Sequence, residues 1–393
     1  MKFAPIFPRT SISFRYLRFC FKTCRTRLFA MQASSSRFTS SMHRCRFQSP
    51  APHVYTPSPS QWTPLSAVSA DAAPLARGTL VRIISWNIDF SIPSHGDRIN
   101  TALDYIASLF ARPPSPAATP TTPPAPMILM LQEMSAESHM AILAHPWIRE
   151  NFVVSDKKPF PQRYFTLLLV DRRLATREWF RIAYQGSRFG RDVLGVDVLV
   201  VDGEAAEAGD GAGGVEGRKV KCLRFCTTHL ESLAEEPGFE QRPKQLAVVS
   251  ALLKEQSQGV EIVGGLVGGD MNAITELDDE IHKRPNVNLR DFWEESVVAR
   301  GSSATSGAEL KSGEKDLTFG RAEGHTWGYQ SRSNRWPPRR FDKFFYMGHL
   351  EIVALDEVKD SSGKVGRLGV GVKTEKGTWI SDHFGIAVGV KVL

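Results

Sequence analysis

Apolar residues in this chain gather in short runs divided by clusters of Gly, Pro, Ser and charge. The run from Thr79 to Trp86 (TLVRIISW) predicts a buried strand. Ile99, Ala102, Leu103, Ile106 and Phe110 follow at three- and four-residue steps, the spacing of a helix with one apolar face. Met127 to Leu131 predicts a second buried strand, and further strands are expected at Tyr164 to Val170, Val193 to Val201, Val220 to Thr227, Val260 to Gly264, Phe341 to Met347 and Trp379 to Val388. A helix over roughly Lys244 to Glu255 places Leu246, Val249, Leu252 and Leu253 on one face. The stretch PPSPAATPTTPPAP reads as exposed loop, because proline at that density excludes both helix and ladder. Gly203 to Gly217, Gly301 to Glu314 and Asp360 to Lys376 read as surface insertions. Many strands and few helices in one block from 79 to 393 predict an α/β fold of two packed sheets flanked by helices.

No uninterrupted apolar run approaches the ~18 residues of a membrane-spanning helix, so a soluble protein with no membrane partner is expected. The net charge of +7 changes meaning once it is divided along the chain. Residues 1 to 70 hold ten Lys or Arg and no acidic residue, whereas the remainder holds 39 basic and 42 acidic residues. The basic excess therefore does not extend to the block after 79, and any anion site there must be local. Residues 1 to 75 read as a disordered basic leader, rich in Arg, Ser and Phe and then in Pro. This composition suits an organellar transit peptide and hence the mitochondrion. The competing reading is an untargeted basic tail, with the nucleus or cytoplasm as compartment. Of five cysteines, only Cys222 and Cys226 lie beyond the leader, without a second pair at zinc-ligand spacing, so core thiols are expected.

Several apolar runs end in polar residues that a plain strand would not require: Trp86-Asn87, Gln132-Glu133, His229 with Glu231, Asp270-Met271-Asn272 and Ser381-Asp382-His383. Each has a bland alternative. Gly-Gly-Asp-Met-Asn could be a turn, Asn87 a helix N-cap, and Asp382 a loop closure. Together their chemistry is coherent. One or two carboxylates with amides and waters suit Mg²⁺, a cation so held polarises a phosphoryl oxygen, and a separate Asp and His can handle water and leaving group.

These residues carry a resemblance. SWNIDF, LQEM, THLES, GGDMN, RRFDKFF and SDHFG, with RYFTLLL, DFWE and HTWGYQ between them, are similar to the successive motifs of the endonuclease/exonuclease/phosphatase superfamily and of its tyrosyl-DNA phosphodiesterase branch, over about residues 80 to 393. The resemblance implies a four-layer α-β-β-α sandwich of two mixed sheets, the DNase I-like fold, in a catalytic domain from 79 to 393. It implies that Glu133 binds Mg²⁺, with Mn²⁺ as a possible substitute, and that Asn87 and Asp382 support the metal and phosphate. Asp270 would orient the nucleophilic water, Asn272 and His229 would hold the phosphate, and His383, oriented by Asp342, would face it. Trp327, Arg191, Ser232 and Arg242 are the expected substrate contacts, with Lys244 beside them; Trp327 could equally be core, and the alternative to the His-orienting role of Asp342 is a surface ion pair with its Arg-rich flank. Arg332, Arg335, Arg339 and Arg340 around Trp336 form a candidate strand-guiding patch.

The activity implied is Mg²⁺-dependent hydrolysis of 5′-tyrosyl-DNA phosphodiesters, the repair of topoisomerase adducts, by a monomer acting on single-stranded or frayed ends. Abasic-site cleavage, RNA phosphodiester cleavage or lipid or sugar phosphatase activity are the alternatives within the superfamily, and a silent DNA-end-binding module is the alternative outside catalysis. Leu233, Phe384 and Gly328-Tyr329 depart from the branch's pattern and are expected beside the substrate groove.

Overall fold

The computed structural model describes residues 46–65, 72–110, 123–201, 219–236, 238–256, 259–298, 324–330, 336–358 and 364–393. Strands β1 (Arg46–Gln48), β2 (His53–Thr56), β3 (Gln61–Pro64) and β4 (Leu75–Ala76) precede β5 (Leu80–Asn87), helix α1 (His95–Phe110) and β6 (Met127–Met134). Helices α2 (Ala136–Ala144) and α3 (Pro146–Asn151) lead to β7 (Phe152–Val154), β8 (Phe165–Asp171), β9 (Thr176–Ala183), β10 (Asp192–Val201) and β11 (Val220–His229). There follow α4 (Gly238–Leu253), β12 (Val260–Asp270), α5 (Glu276–Asp279), β13 (Arg290–Asp291), α6 (Phe292–Val298), β14 (Asp342–Gly348), β15 (Leu350–Val353), β16 (Gly366–Leu368) and β17 (Gly385–Val392).

The strands form two mixed sheets. One runs β1-β9-β10-β11-β12-β14-β13 with β4 beside β10; the other runs β15-β17-β5-β6-β8-β7-β2-β3 with β16 beside β17. The period of two along each strand decides which side chains meet. Val81 and Ile83, Ile128 and Met130, and Leu168 and Val170 face inward to Leu194, Val196, Leu223, Phe225, Leu266 and Phe344 of the other sheet. Ile84, Trp86, Leu129, Leu131, Leu167 and Leu169 face outward and are covered by Ile99, Leu103 and Ile106 of α1, Ile142 of α2 and Ile148 of α3. On the opposite face, Gly265 lets Leu253 of α4 approach so closely that a Cβ there would lie 2.9 Å from it. Helix, sheet, sheet and helix thus stack as the expected four layers. A buried polar rivet crosses between the sheets: Gln132 Nε2 donates to Ser85 Oγ at 3.1 Å and to Thr227 Oγ1 at 2.9 Å.

The domain begins earlier than composition indicated. Residues 53–64, assigned to the leader, form a hairpin that extends a sheet through β2 and β7, and Trp62 is buried with its Nε1 donating to Leu143 O at 3.1 Å. Pro and Ser dominate this segment because the hairpin is an edge, where missing ladder donors cost little. Residues 1–45 lie outside the described residues, as do the 203–217 and 301–314 insertions and most of the proline-dense stretch. The third expected insertion is corrected in part: within it, β16 is fully buried and pairs with β17. The last strand starts at Gly385 rather than Trp379, so Ser381-Asp382-His383 sits in the loop that enters it. Helix α4 reaches back through Pro243 to Gly238. Cys222 and Cys226 are buried free thiols, as expected; burial pushes Cys222 up to about 11 and Cys226 up to about 12, which makes them unreactive. Among the described residues no helix is long and apolar enough to cross a membrane.

Candidate active site

Strand register assembles most of the site. In the parallel pair β11–β12, His229 lies opposite Asp270; in the antiparallel pair β12–β14, Asp270 lies opposite Asp342. Three titratable residues therefore stand in one row across a sheet, about 5 Å apart from strand to strand. In the second sheet the parallel β5 and β6 place Asn87 opposite Gln132, with Glu133 next. Hydrogen bonds join the two rims: Asn87 Nδ2 donates to Asp270 Oδ2 at 3.0 Å, Ser381 Oγ to Asn87 O at 2.6 Å, and Trp86 Nε1 to His383 O at 3.1 Å.

His383 Nδ1 lies 2.8 Å from Asp342 Oδ2, and its Nε2 faces Asp270 at 3.7 Å and Asp382 at 3.8 Å. Burial alone would lower the pKa of His383, but Asp342, Asp382 and Asp270 together raise it well above the ordinary value. The three carboxylates thus favour the protonated ring of His383, whose Nε2 faces the gap between Asp270 and Asp382. Burial alone would raise Asp270, yet His229 and His383 hold it well below the usual carboxylate range. Asp270 Oδ1 accepts from Asn272 N at 2.8 Å, and Asn272, at φ 46°, donates its amide to Leu230 O at 2.9 Å. The turn reading of Asp-Met-Asn and the catalytic reading are therefore the same geometry.

Glu133 stands at φ 60°, where the β6–β8 register slips between Leu131 and Met134. A non-glycine residue in that region is strained, and here the strain turns the carboxylate out of the ladder toward the rim. Phe90 N donates to Glu133 Oε2 at 3.0 Å, while Oε1 lies 3.9 Å from His229 Nδ1. Burial raises the pKa of Glu133 against the pull of His229 and Arg191, with Asp382 adding to the rise. Burial likewise pushes Asp382 up to about 6, with Asp89 adding to the rise against His383. A desolvated set of carboxylates that repel one another is the donor chemistry a hard divalent cation relieves, so these residues fit such an ion.

The structure corrects several expected substrate and metal contacts. Arg242 is fully buried, with Nε 2.8 Å and Nη2 2.9 Å from the Asp278 carboxylate and Nη1 on the Glu231 and Leu233 carbonyls; it is scaffold and cannot reach a phosphate. Lys244 is exposed and pairs with Glu240. His229 was expected on the phosphate, but Nδ1 accepts from Arg191 Nη1 at 2.7 Å and Nε2 lies 3.3 Å from Asp270, so both ring nitrogens are engaged. Burial and Arg191 lower its pKa, in keeping with a neutral ring. Asn87 spends its oxygen on Asp89 N at 2.9 Å and its amide on Asp270, so its side chain aligns the Asp270 carboxylate and is not free for a metal. Arg339 and Arg340 pair with Asp279 and Asp291, which removes them from the strand-guiding patch; Arg332 and Arg335 lie outside the described residues.

Trp327 resolves into neither of its two alternatives. It is half-buried, stacked on Phe341 at 5.1 Å, and its Nε1 donates to Asp382 Oδ2 at 2.8 Å. Ser232 is half-buried at the rim beyond Glu231. Phe384 and Tyr329, expected beside the groove, are instead buried and stacked on each other at 5.8 Å. Leu233 is exposed.

Of the residues lining the cleft beside Glu133, sequence reasoning singled out Arg191 and His229 but not Gln162, Tyr164 or Phe189. Buried Glu231 organises its wall: it accepts from Ser187 Oγ at 2.7 Å, Arg188 N at 2.9 Å, Phe189 N at 3.2 Å and Gln245 Nε2 at 2.9 Å. Glu231→Gln replaces acceptors by a donor facing donors, at a cost of about 1–3 kcal/mol. Hydrogen exchange at the Arg188 and Phe189 amides should then accelerate about 10- to 100-fold, as measured by mass spectrometry.

The family model described as Endonuclease/Exonuclease/phosphatase family matches residues 84–383, roughly three quarters of the chain and every strand end that builds this site. The chain belongs to the endonuclease/exonuclease/phosphatase family. Its fold is also that of solved TDP2 structures. The Caenorhabditis elegans protein in truncated form is 19% identical, with a TM-score of 0.51, over 80% of this chain and 99% of that one. The D. rerio protein complexed with a single-strand DNA product is 17% identical, with a TM-score of 0.52 and the same coverage. No curated protein sequence matches the chain. Membership of the endonuclease/exonuclease/phosphatase family makes the chain a phosphoester hydrolase.

Proposed function

We propose that the chain is a Mg²⁺-dependent phosphodiesterase that cleaves 5′-tyrosyl-DNA bonds. The observation that carries the reading is the convergence of Glu133, Asp270 and the His383–Asp342 pair on one rim, beside a cleft walled by Tyr164, Phe189 and Arg191. The TDP2 structures of the same fold, one with a single-strand DNA product, supply the analogy for substrate. Mg²⁺, with Mn²⁺ as substitute, would be held by Glu133 with Asp382 in support, and when bound it supplies Lewis-acid polarisation of a phosphoryl oxygen. Asp270, kept anionic, orients a water toward phosphorus. The water's oxygen forms the new P–O bond as its proton passes to Asp270, and the bond to the tyrosyl oxygen breaks to release a phenolate that is protonated from solvent. The imidazolium of His383 donates Nε2–H to the phosphoryl oxygen that gains charge, and Asn272, tied to Asp270 through its backbone N–H, would hold the phosphate. A phenol of pKa about 10 leaves without a strong acid, so charge stabilisation matters more than proton donation.

The full chain, given a 5′-phosphotyrosyl oligonucleotide and Mg²⁺, should release a 5′-phosphate end and do so far faster than it cleaves abasic DNA, RNA or phospholipid. No release, or equal release by Glu133→Ala, overturns the reading; preference for another substrate in the set transfers the site to that chemistry. Asp342→Asn removes the strongest support for the His383 charge. A raised pKa keeps the ring charged below it and loses the charge as pH rises, so this variant's activity should fall off at lower pH than that of the wild type. The acid-free stretch 1 to 70 is proposed as a mitochondrial address, tested by fusing residues 1 to 50 to a fluorescent reporter and imaging it.

A further inference from the structure

Phe90 has two attachments that its neighbours in the β5–α1 loop lack. Its backbone N–H donates to Glu133 Oε2 at 3.0 Å. Its half-buried ring stacks on Tyr164 with centroids 4.1 Å apart and planes 19° from parallel, and the Arg163 guanidinium lies over it at 4.9 Å. Tyr164 in turn has the Arg191 guanidinium over its ring at 4.9 Å, and Arg191 donates to His229 Nδ1 at 2.7 Å. The contacts close a ring of residues. From Glu133 they run through the Phe90 peptide and side chain to Tyr164, Arg191 and His229, and return to Glu133 across 3.9 Å.

The rest of the loop is tied at other points. Asp89 Oδ1 takes Ser91 N at 2.9 Å, and Arg98 holds the carbonyls of Ile88, Asp89, Ile92 and Pro93. Arg98, on the Asp89 carbonyl, holds the oxygen side of the Asp89–Phe90 peptide. The stacked ring holds its N–H side toward Glu133, through aromatic and cation–π contacts of about 0.5–1.5 kcal/mol each. Glu133 needs such help: it is strained at positive φ and its anionic form is opposed by burial.

We propose that Phe90 is a positioning residue for the cation: its ring, stacked on Tyr164 with the Arg163 guanidinium over it, helps to fix the peptide N–H that aims the Glu133 carboxylate. The proposal rests on the reading of Glu133 as the metal carboxylate and is independent of which phosphodiester is cleaved. Groups that orient a metal ligand typically govern affinity by about 10- to 100-fold when removed.

The test is Mn²⁺ binding to the full chain without substrate, followed by electron paramagnetic resonance, for wild type, Phe90→Ala, Phe90→Leu, Phe90→Tyr and Glu133→Ala. Phe90→Ala and Phe90→Leu should bind Mn²⁺ about tenfold more weakly while retaining the wild-type circular dichroism spectrum. Phe90→Tyr, which keeps the stack, should bind within about twofold of wild type. Saturating metal should restore most of the turnover lost by Phe90→Leu, which a general loosening of the fold would not allow. Wild-type affinity in Phe90→Leu, or an equal loss in Phe90→Tyr, overturns the proposal. Wild-type affinity in Glu133→Ala overturns it together with the metal assignment. Weakened binding by the Phe90 variants with no cleavage of tyrosyl-DNA by wild type leaves the proposal standing and removes the substrate reading alone.

Discussion

Asp270→Asn is expected to lower turnover of a 5′-tyrosyl oligonucleotide by about 10³-fold while leaving Mn²⁺ affinity within a few-fold of wild type. The substitution preserves shape, so the amide oxygen can still accept from Asn272 N and the Asx turn survives. What it removes is charge at the one carboxylate that faces both histidines, 3.3 Å from His229 Nε2 and 3.7 Å from His383 Nε2. Asp270 is the group that His229 and His383 keep ionised in a site where burial opposes it, and a neutral amide cannot orient a water through its acceptor lone pairs in the same way. Single-turnover rates with unchanged metal binding separate this loss from that of Glu133→Ala, which should lose both. Activity above a tenth of wild type would remove Asp270 from the water-orienting role and leave Asp382 as the candidate.

The centre is readable from sequence because the fold is built from strands buried on both faces. Such strands show up as short continuous apolar runs, and a polar residue closing one is conspicuous: Asn87, Glu133, His229 and Asp270 all end runs of this kind. Strand register then does the assembling. Asp342 is placed opposite Asp270 by ladder pairing alone, which is why two residues so distant along the chain stand side by side at the rim.

The unread parts have equally physical causes. The β2–β3 hairpin is half-buried and proline-rich, so it lacks the apolar run that betrayed the other strands. Strand β9 (TREWFRIA) carries charge on exposed positions and reads as neither periodic helix nor buried strand. Arg242 misled because basic residues near a phosphate site invite that assignment, whereas its partner Asp278 lies 36 positions away. Phe90 and Tyr164 declare nothing in sequence, since their significance is a stacking distance. Phe384 and Tyr329 were each visible as departures, but their contact is legible only in the structure.

Arg98 is the buried charge on which the metal-side loop depends, and its removal should give the largest loss of stability. It lies in the first turns of α1 beside the apolar stripe of Ile99 and Ala102, a place where a cation is costly unless it is fully bonded. Its guanidinium meets that condition with carbonyls alone: Nη1 donates to Ile88 O and to Ile380 O at 2.9 Å, Nη2 to Asp89 O and to Ile92 O at 2.8 Å, and Nε to Pro93 O at 3.2 Å. Burial lowers its pKa, while Asp89, Asp382 and Glu133 oppose the shift, so the cation sits in the field of nearby carboxylates. Arg98→Leu keeps the apolar stem but leaves five carbonyl oxygens without this donor and the carboxylates without their counter-charge. The expected cost is about 3–5 kcal/mol, not the sum of five separate bonds. In a domain of this size that lowers the thermal midpoint by about 4–8 °C. Arg98→Lys should recover only a small part, because one ammonium cannot span carbonyls on both the β5–α1 loop and the loop before β17. Calorimetric midpoints for the two variants, read beside Mn²⁺ titrations, would show stability and metal affinity falling together. A stable Arg98→Leu protein with normal metal binding would mean that the loop holds its shape through Asp89 and Phe90 alone.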